Sequence, residues 1–217
     1  GMGLPLLAFG TGARWLPHLC GPNELPCGPL TAPRVYTPDD LAAGVVPEGP
    51  VAVFDFDNYY LGSAIAEHLA GQGLAVTYIT TAGAAAAWGF MTNEQPLVHQ
   101  SFAAKGIALR TLEVVTAFDG DELRLAQIFS GQDQRLAVRS LVIIGYRAGG
   151  SALHDALATD AKPGALHLTG DANAPGAIVH AIYQGHKTAR ELGVAQPMVR
   201  RDAPFAPRDF QLPEAAE

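Results

Sequence analysis

Hydrophobic positions in this chain form short runs broken by glycine, proline and polar turns, and the runs follow two different periods. Leu4–Phe9 is an apolar run ending in Gly10-Thr11-Gly12, the pattern of a buried strand followed by a tight turn. Val51–Phe54 and Val76–Ile79 read as two more buried strands. Between them Leu61, Ala64, Ile65 and Leu69 recur at helical spacing through Leu61–Gly71, and Gly71 and Gly73 supply the stop. Strand, helix and strand within about thirty residues predict a βαβ unit, with parallel strands and a right-handed crossover.

The pattern then changes. Asn93–Lys105 reads as a helix. Ala108–Ala117, Glu122–Phe129 and Arg135–Ser140 read as three strands joined by Asp119-Gly120-Asp121 and Ser130-Gly131-Gln132-Asp133, which are hairpin turns. Leu141–Ile144 is fully apolar, as a central parallel strand is. Ser151–Ala158 is a short helix with Ser151 as its cap, and Ala165–Leu168 is a strand leading into Gly170-Asp171. Pro175-Gly176 opens a last helix, Ala177–Leu192, which ends at Gly193 before a proline-rich tail. Pro17–Pro50 is rich in proline and glycine and reads as a connector. It holds one helix with Thr37 as N-cap, Pro38 at the first position, and Asp39 and Asp40 in the first turn. The predicted fold is α/β, with a Rossmann-like core of parallel sheet plus antiparallel three-stranded meander at residues 45–148. Residues 1–44 and 149–217 form a second, discontinuous part.

Composition narrows the function classes. The chain has 217 residues, 48% apolar and 16% charged, with a net charge of −7. That is material for a real core and rules out disorder. The acidic balance excludes a general nucleic-acid binder, which needs a clustered basic face. No apolar run approaches the length that spans a bilayer, and no export signal is read after Met2, so no membrane partner and a cytoplasmic location are expected. Cys20 and Cys27 read as free thiols.

Two turns carry the candidate chemistry. A dinucleotide-binding βαβ unit needs glycines after its first strand, so that pyrophosphate can approach the backbone and face a helix N-terminus. Here that turn is Asp55-Phe56-Asp57-Asn58-Tyr59-Tyr60-Leu61-Gly62, and only Gly62 fits. Asp55 and Asp57 stand where phosphate charge would lie, and Thr80-Thr81 supplies neither an acid for a ribose nor an arginine for a 2′-phosphate. Nicotinamide binding is therefore not expected. The second turn is Gly170-Asp171-Ala172-Asn173-Ala174-Pro175-Gly176. There Asp171 either accepts from a ribityl or ribose hydroxyl at the helix N-terminus or caps its own loop. No metal site is expected: His180 and His186 are six residues apart, and His18, His68, His99, His154 and His167 have no partner at ligand spacing. Asp55 with Asp57 is a weak acid/base pair, and Trp15, Tyr59 and Tyr60 read as packing residues. No catalytic residue is assigned.

Taken in order, Gly10-Thr11-Gly12-Ala13-Arg14-Trp15, the Asp55–Tyr60 turn, Asn93-Glu94-Gln95 and Gly170–Gly176 with Ala181-Ile182-Tyr183-Gln184-Gly185-His186 resemble one family. It is the trimethylamine dehydrogenase, dimethylamine dehydrogenase and histamine dehydrogenase family, flavoproteins related to 2,4-dienoyl-CoA reductase, and the likeness is to its C-terminal region. The resemblance implies that Val51–Ile144 is an NADPH-domain-like unit with its nucleotide function lost. It also implies that Leu4–Trp15 and Ala165–Leu192 are closing strands and final helix of a partial FAD-like domain. The residues it places beside a nucleotide are Gly10, Thr11, Gly12, Gly170, Asp171, Gly176, Ala177 and Ile178, with ADP or FAD held together with a partner chain. Family members carry FMN and an iron–sulfur cluster in a barrel. This sequence has no barrel, no cysteine cluster and no N-terminal Gly-x-Gly-x-x-Gly.

The expectation is a split subunit or a piece of a longer oxidoreductase, with no cofactor and no amine oxidation by itself, and an architectural or electron-acceptor docking role. A flavin and iron–sulfur barrel chain is the expected partner, with homodimerisation in isolation through the uncovered apolar sides of Leu4–Phe9, Ala165–Leu168 and Ala177–Leu192. The rival readings are a non-catalytic ADP- or FAD-binding module and an independent NAD(P)H-dependent reductase.

Overall fold

The computed structural model describes residues 6–159 and 166–192. The tail from Gly193, and the ends Leu4 and Ala165 of two expected strands, lie outside the described residues. Two compact units divide the chain: Thr11–Gly150, and the described parts of Gly1–Gly10 with Ser151–Glu217.

The Thr11–Gly150 unit is built on a five-stranded parallel sheet in the order Val35–Tyr36, Ser140–Ile144, Val51–Asp55, Val76–Thr80, Ala108–Thr111. Both faces of its central strands are buried, so alternate residues feed two cores. Ala52, Phe54, Leu141 and Ile143 face Val114, Val115, Phe118, Leu123 and Leu125 of the meander. Val51, Val53, Val142 and Ile144 face Ala66, Leu69 and Phe102 of the helices Tyr60–Gly71 and Gln95–Lys105. This is the pattern of a parallel sheet covered on both sides. The α/β class, the parallel sheet and the three-stranded antiparallel meander are as the apolar pattern predicts.

Three expectations change. The run Ala108–Ala117 is two strands, Ala108–Thr111 and Glu113–Phe118, because Leu112 turns left-handed (φ 58°) and sends the chain out of the sheet into the meander. The run Arg135–Ser140 splits likewise: the meander strand ends at Ala137, and Ser140 begins the central strand. The segment 11–44, expected to go with residues 149–217, falls in the Thr11–Gly150 unit. Val35–Tyr36 extends the sheet along Ser140–Ile144, and Ala13–Trp15 pairs antiparallel with Arg147–Gly149. The Trp15 amide also donates to Asp39 Oδ2 at 2.8 Å, and Arg147 lies 5.1 Å over the Trp15 ring. Within the connector, His18–Cys20 and Pro26–Pro29 form an unforeseen hairpin. The Thr37 cap holds as expected: its amide and hydroxyl donate to Asp40 Oδ2 at 2.7 and 2.8 Å.

The second unit pairs Leu7–Phe9 in parallel with Leu166–Leu168 and adds the helices Ala152–Ala158 and Ile178–Glu191. Neither helix buries a residue in this unit. Ile178 is 76% and Val179 65% exposed. Among the described residues, no helix is long and apolar enough to cross a membrane.

Candidate functional site

Open α/β sheets bind ligands outside the carboxyl ends of their strands. In the Thr11–Gly150 unit that edge begins with Asp55, the last residue of its strand and fully buried. The alternation that turns Val51 and Val53 towards the helices turns Asp55 the same way. Its Oδ1 accepts from the Asn58 amide at 2.9 Å, and its Oδ2 accepts from the Tyr78 hydroxyl. A methyl group on Gly62 would overlap this carboxyl. In a dinucleotide fold the glycine corresponding to Gly62 lets the helix pack close on the strand, and the two glycines nearer the pyrophosphate correspond to Asp57 and Tyr59 here. The Asp55 side chain packs directly against Gly62 in that helix–strand contact. Burial pushes its pKa up to about 7, against the Tyr78 and Asn58 hydrogen bonds and with a small push from Asp57. Burial and the neighbouring Asp55 drive the Tyr78 hydroxyl well above its ordinary value. Burial also raises Asp57, opposed by the charge of Arg147.

The rest of the edge is closed by side chains from the protein itself. Asn58, left-handed at φ 58°, accepts at Oδ1 from the Thr80 hydroxyl at 2.6 Å. Its Nδ2 donates to the Phe56 carbonyl at 3.2 Å and to Glu24 Oε1 at 3.4 Å. Thr81 donates to the same Glu24 oxygen at 2.6 Å, and the Tyr146 hydroxyl donates to the Glu24 carbonyl. Glu24 comes from the loop of the His18–Pro29 hairpin. Between the ends of Val51–Asp55 and Ser140–Ile144, the amides of Phe56 and Asp57 donate to the Ile144 carbonyl at 3.0 and 3.3 Å. The Phe56 ring lies so close over Gly145 that any side chain there would overlap it, and it packs on Phe54 and Tyr146 at 5.1 and 4.9 Å. These residues do not fit a nicotinamide dinucleotide. Pyrophosphate would meet a carboxyl, and the crevice holds a phenyl ring.

Of the eight residues that the resemblance sets beside a nucleotide, Thr11 and Gly12 belong to the Thr11–Gly150 unit. There the Thr11 hydroxyl donates to the Gly150 carbonyl, and the Gly150 amide donates to the Gly12 carbonyl at 2.8 Å. Gly10, Gly170, Asp171, Gly176, Ala177 and Ile178 belong to the other unit. Gly170 is left-handed (φ 59°) and ends the strand beside Leu7–Phe9. Asp171 Oδ1 accepts from the Gly176 amide at 3.1 Å, so one carboxyl oxygen holds its own loop. Ala177 is the cap of the last helix, and its amide donates to His180 Nδ1 at 3.0 Å. A side chain on Gly176 would stand 2.8 Å from that nitrogen, which accounts for the glycine. Beside this helix a cavity of about 590 Å³ is lined by His154, His167, His180, Tyr183, Lys187 and Glu191. Among the described residues no group of three His, Cys, Asp or Glu side chains could hold a metal ion. Cys20 and Cys27 are free thiols, and burial pushes Cys20 up to about 12.

Sequence reasoning missed Tyr78, Glu24 and Phe56. Strand alternation could have found Tyr78, which shares a face with Asp55 once the strands are in parallel register. Glu24 and Phe56 carry no comparable signal, because their roles come from contacts distant in sequence.

No protein-family model matches the chain, and no curated protein matches it in sequence. Solved structures do. Histamine dehydrogenase from Rhizobium sp. 4-9 is similar over 98% of this chain at 28% identity and a TM-score of 0.80, and the match covers 34% of that protein. 6-Hydroxypseudooxynicotine amine oxidase from Pseudomonas geniculata N1 matches 88% of the chain at 26% identity and a TM-score of 0.78, covering 29% of its own length. The HOCl-induced flavoprotein disulfide reductase from Escherichia coli, 17% identical with a TM-score of 0.58, shares the fold. The chain thus spans about a third of the length of the first two proteins. In structure as in sequence, it resembles one region of the trimethylamine dehydrogenase and histamine dehydrogenase family of flavoprotein oxidoreductases.

Proposed function

We propose that this chain is the nucleotide-domain portion, or a subunit, of a trimethylamine dehydrogenase-like flavoprotein oxidoreductase, and that its sheet domain has exchanged dinucleotide binding for an architectural and electron-acceptor docking role. The observation that carries this reading is the turn at the sheet's carboxyl edge, where Asp57 and Tyr59 stand in place of the pyrophosphate glycines and the Phe56 ring fills the space over Gly145. A domain kept for NAD(P)H would carry glycines at those two positions and leave the crevice open. Redox chemistry then belongs to a flavin-bearing chain or region with which this one assembles. The second unit supports that partner reading. Among the described residues it has a two-stranded parallel sheet and a helix with Ile178 and Val179 exposed, and such a sheet needs further elements to be stable. We assign it as the remnant of an FAD-like domain. Within that unit, ADP or FAD held with the partner would lie at Gly10, Gly170, Asp171 and Gly176–Ile178, with the phosphates at the N-terminus of the last helix. A cytoplasmic setting goes with the two free thiols.

The test is dye-linked turnover by the purified chain with an amine, NADH or NADPH as donor. The expected result is no dye reduction with any of them. Turnover driven by NADPH would overturn the reading in favour of an independent reductase.

A further inference from the structure

The hairpin of His18–Cys20 and Pro26–Pro29 carries both cysteines of the chain, one on each strand. Leu19 pairs with Gly28 and Cys20 with Pro26, so a bulge leaves Cys27 as an extra residue opposite Cys20. Residues opposed across an antiparallel pair have Cα atoms about 4.5–5.5 Å apart, inside the span that a disulfide bridges. Cys27 Sγ lies beside Gly21, the neighbour of Cys20, at 3.5 Å from where a Cβ on that glycine would stand. Cys20 is buried in the core that holds Phe54 and Phe56. Cys27 is exposed, and its thiol donates to the Leu25 carbonyl at 3.8 Å.

The loop between the two thiols is the one that supplies Glu24. That residue is left-handed at φ 59°, its amide donates to the Gly21 carbonyl at 2.9 Å, and the Gly21 amide donates to the Leu25 carbonyl at 2.9 Å. The Glu24 carboxyl holds Thr81 and Asn58 at the carboxyl edge of the sheet, and its carbonyl holds Tyr146. Both thiols face the same place. Burial raises the Tyr146 hydroxyl, and the charges of Cys20, Cys27 and Glu24 all add to that rise. Two thiols of unequal exposure set across one loop let the accessible sulfur be oxidised first and the buried one resolve it.

We infer that Cys20 and Cys27 are a redox pair whose disulfide staples the loop carrying Glu24. The oxidant is a low-molecular-weight disulfide. The exposed Cys27 thiolate attacks one of its sulfurs, forming a mixed disulfide and releasing one thiolate of the oxidant. Cys20 then gives up its proton, and its sulfur attacks Cys27 Sγ, closing the Cys20–Cys27 bond and releasing the second thiolate. The two protein thiols lose two electrons and two protons, and the oxidant leaves as two thiols. Burial pushes Cys20 up to about 12, so the second step is the slow one and the Cys27 adduct precedes the closed ring. With the ring closed, the loop is held by a covalent bond as well as by the Glu24 contacts, and the edge it covers depends less on them. In a reducing compartment the pair stays open and closes only under oxidation. The inference does not rest on the nucleotide reading.

The test is a time course of the full folded chain with oxidised glutathione, quenched with an alkylating agent and read by intact and peptide mass. The expected sequence is a single glutathione adduct on Cys27, then a monomer that has lost two hydrogens, with the peptides of Cys20 and Cys27 linked and neither thiol alkylated. Dithiothreitol should reverse it. Cys20→Ala, which keeps the buried site apolar, should stop at the Cys27 adduct, and Cys27→Ser should form no adduct while folded. Were Cys20→Ala to unfold, the wild-type time course alone decides. Urea denaturation supplies the second readout: Glu24→Ala should lose less stability in the oxidised protein than in the reduced one. A wild type that stops at the Cys27 adduct overturns the inference, as do dimers linked through Cys27 in place of the internal bond. Equal losses for Glu24→Ala in the two redox states would overturn the stapling of the loop.

Discussion

The Asp55 carboxyl occupies the space that a side chain on Gly62 would need, and it does so from the end of a strand whose partner, Val76–Thr80, supplies the Tyr78 hydroxyl that bonds it. The acid and the glycine are a matched pair. The helix Tyr60–Gly71 can pack this close to the sheet only while position 62 has no Cβ, and the carboxyl then seals the gap.

Gly62→Ala should therefore destabilise the protein by about 1–3 kcal/mol, the ordinary range for forcing a methyl into a filled core. Urea denaturation checks it. In a double-mutant cycle with Asp55→Ala the two losses should fall well short of additivity, because the smaller side chain frees the space. Additive losses would mean that the two positions are not coupled.

Stability should fall as pH rises. Asp55 holds its proton in the folded protein up to about pH 7, whereas an ordinary Asp gives it up near 3.8. The folded state thus binds a proton that the unfolded chain has released, so its advantage is complete below about pH 4 and lost by pH 7. Asp55→Asn keeps a neutral group there at every pH. It should gain on wild type between about pH 4 and pH 7, by at most about 4 kcal/mol in total, and hold that gain at higher pH. Parallel stability profiles for the two proteins would contradict the buried, protonated carboxyl.

Glu24→Ala should cost about 1–2 kcal/mol, since it leaves the Thr81 hydroxyl and one Asn58 amide hydrogen without their acceptor. Glu24→Gln, which keeps an acceptor oxygen, should recover part of the loss. Thermal melts of the three proteins read this directly.

The local rules were legible in the sequence where packing agreed with them. Apolar runs mark Val51–Asp55 and Ser140–Ile144, and the capped Thr37 helix follows from its own residues. They failed where one residue redirected the chain. Leu112 is apolar within an apolar run, and nothing local announces its left-handed turn. The Pro/Gly-rich stretch read as a connector because its strands are short and find their partners far away, as Val35–Tyr36 does on Ser140–Ile144. At the site, the missing glycines and the acids of the Asp55–Tyr60 turn were plain. That Asp55 turns inward onto Tyr78 and Gly62, while Glu24 arrives from a hairpin loop, depends on tertiary placement.

The central claim is that the sheet domain has no room for a nicotinamide dinucleotide, and calorimetric titration of the full chain with NADH and then NADPH tests it most directly. The account predicts no measurable binding of either up to millimolar cofactor. A dissociation constant in the low micromolar range would contradict it, because such a ligand would have to displace Phe56 from Gly145 and seat its pyrophosphate against Asp57 and Tyr59.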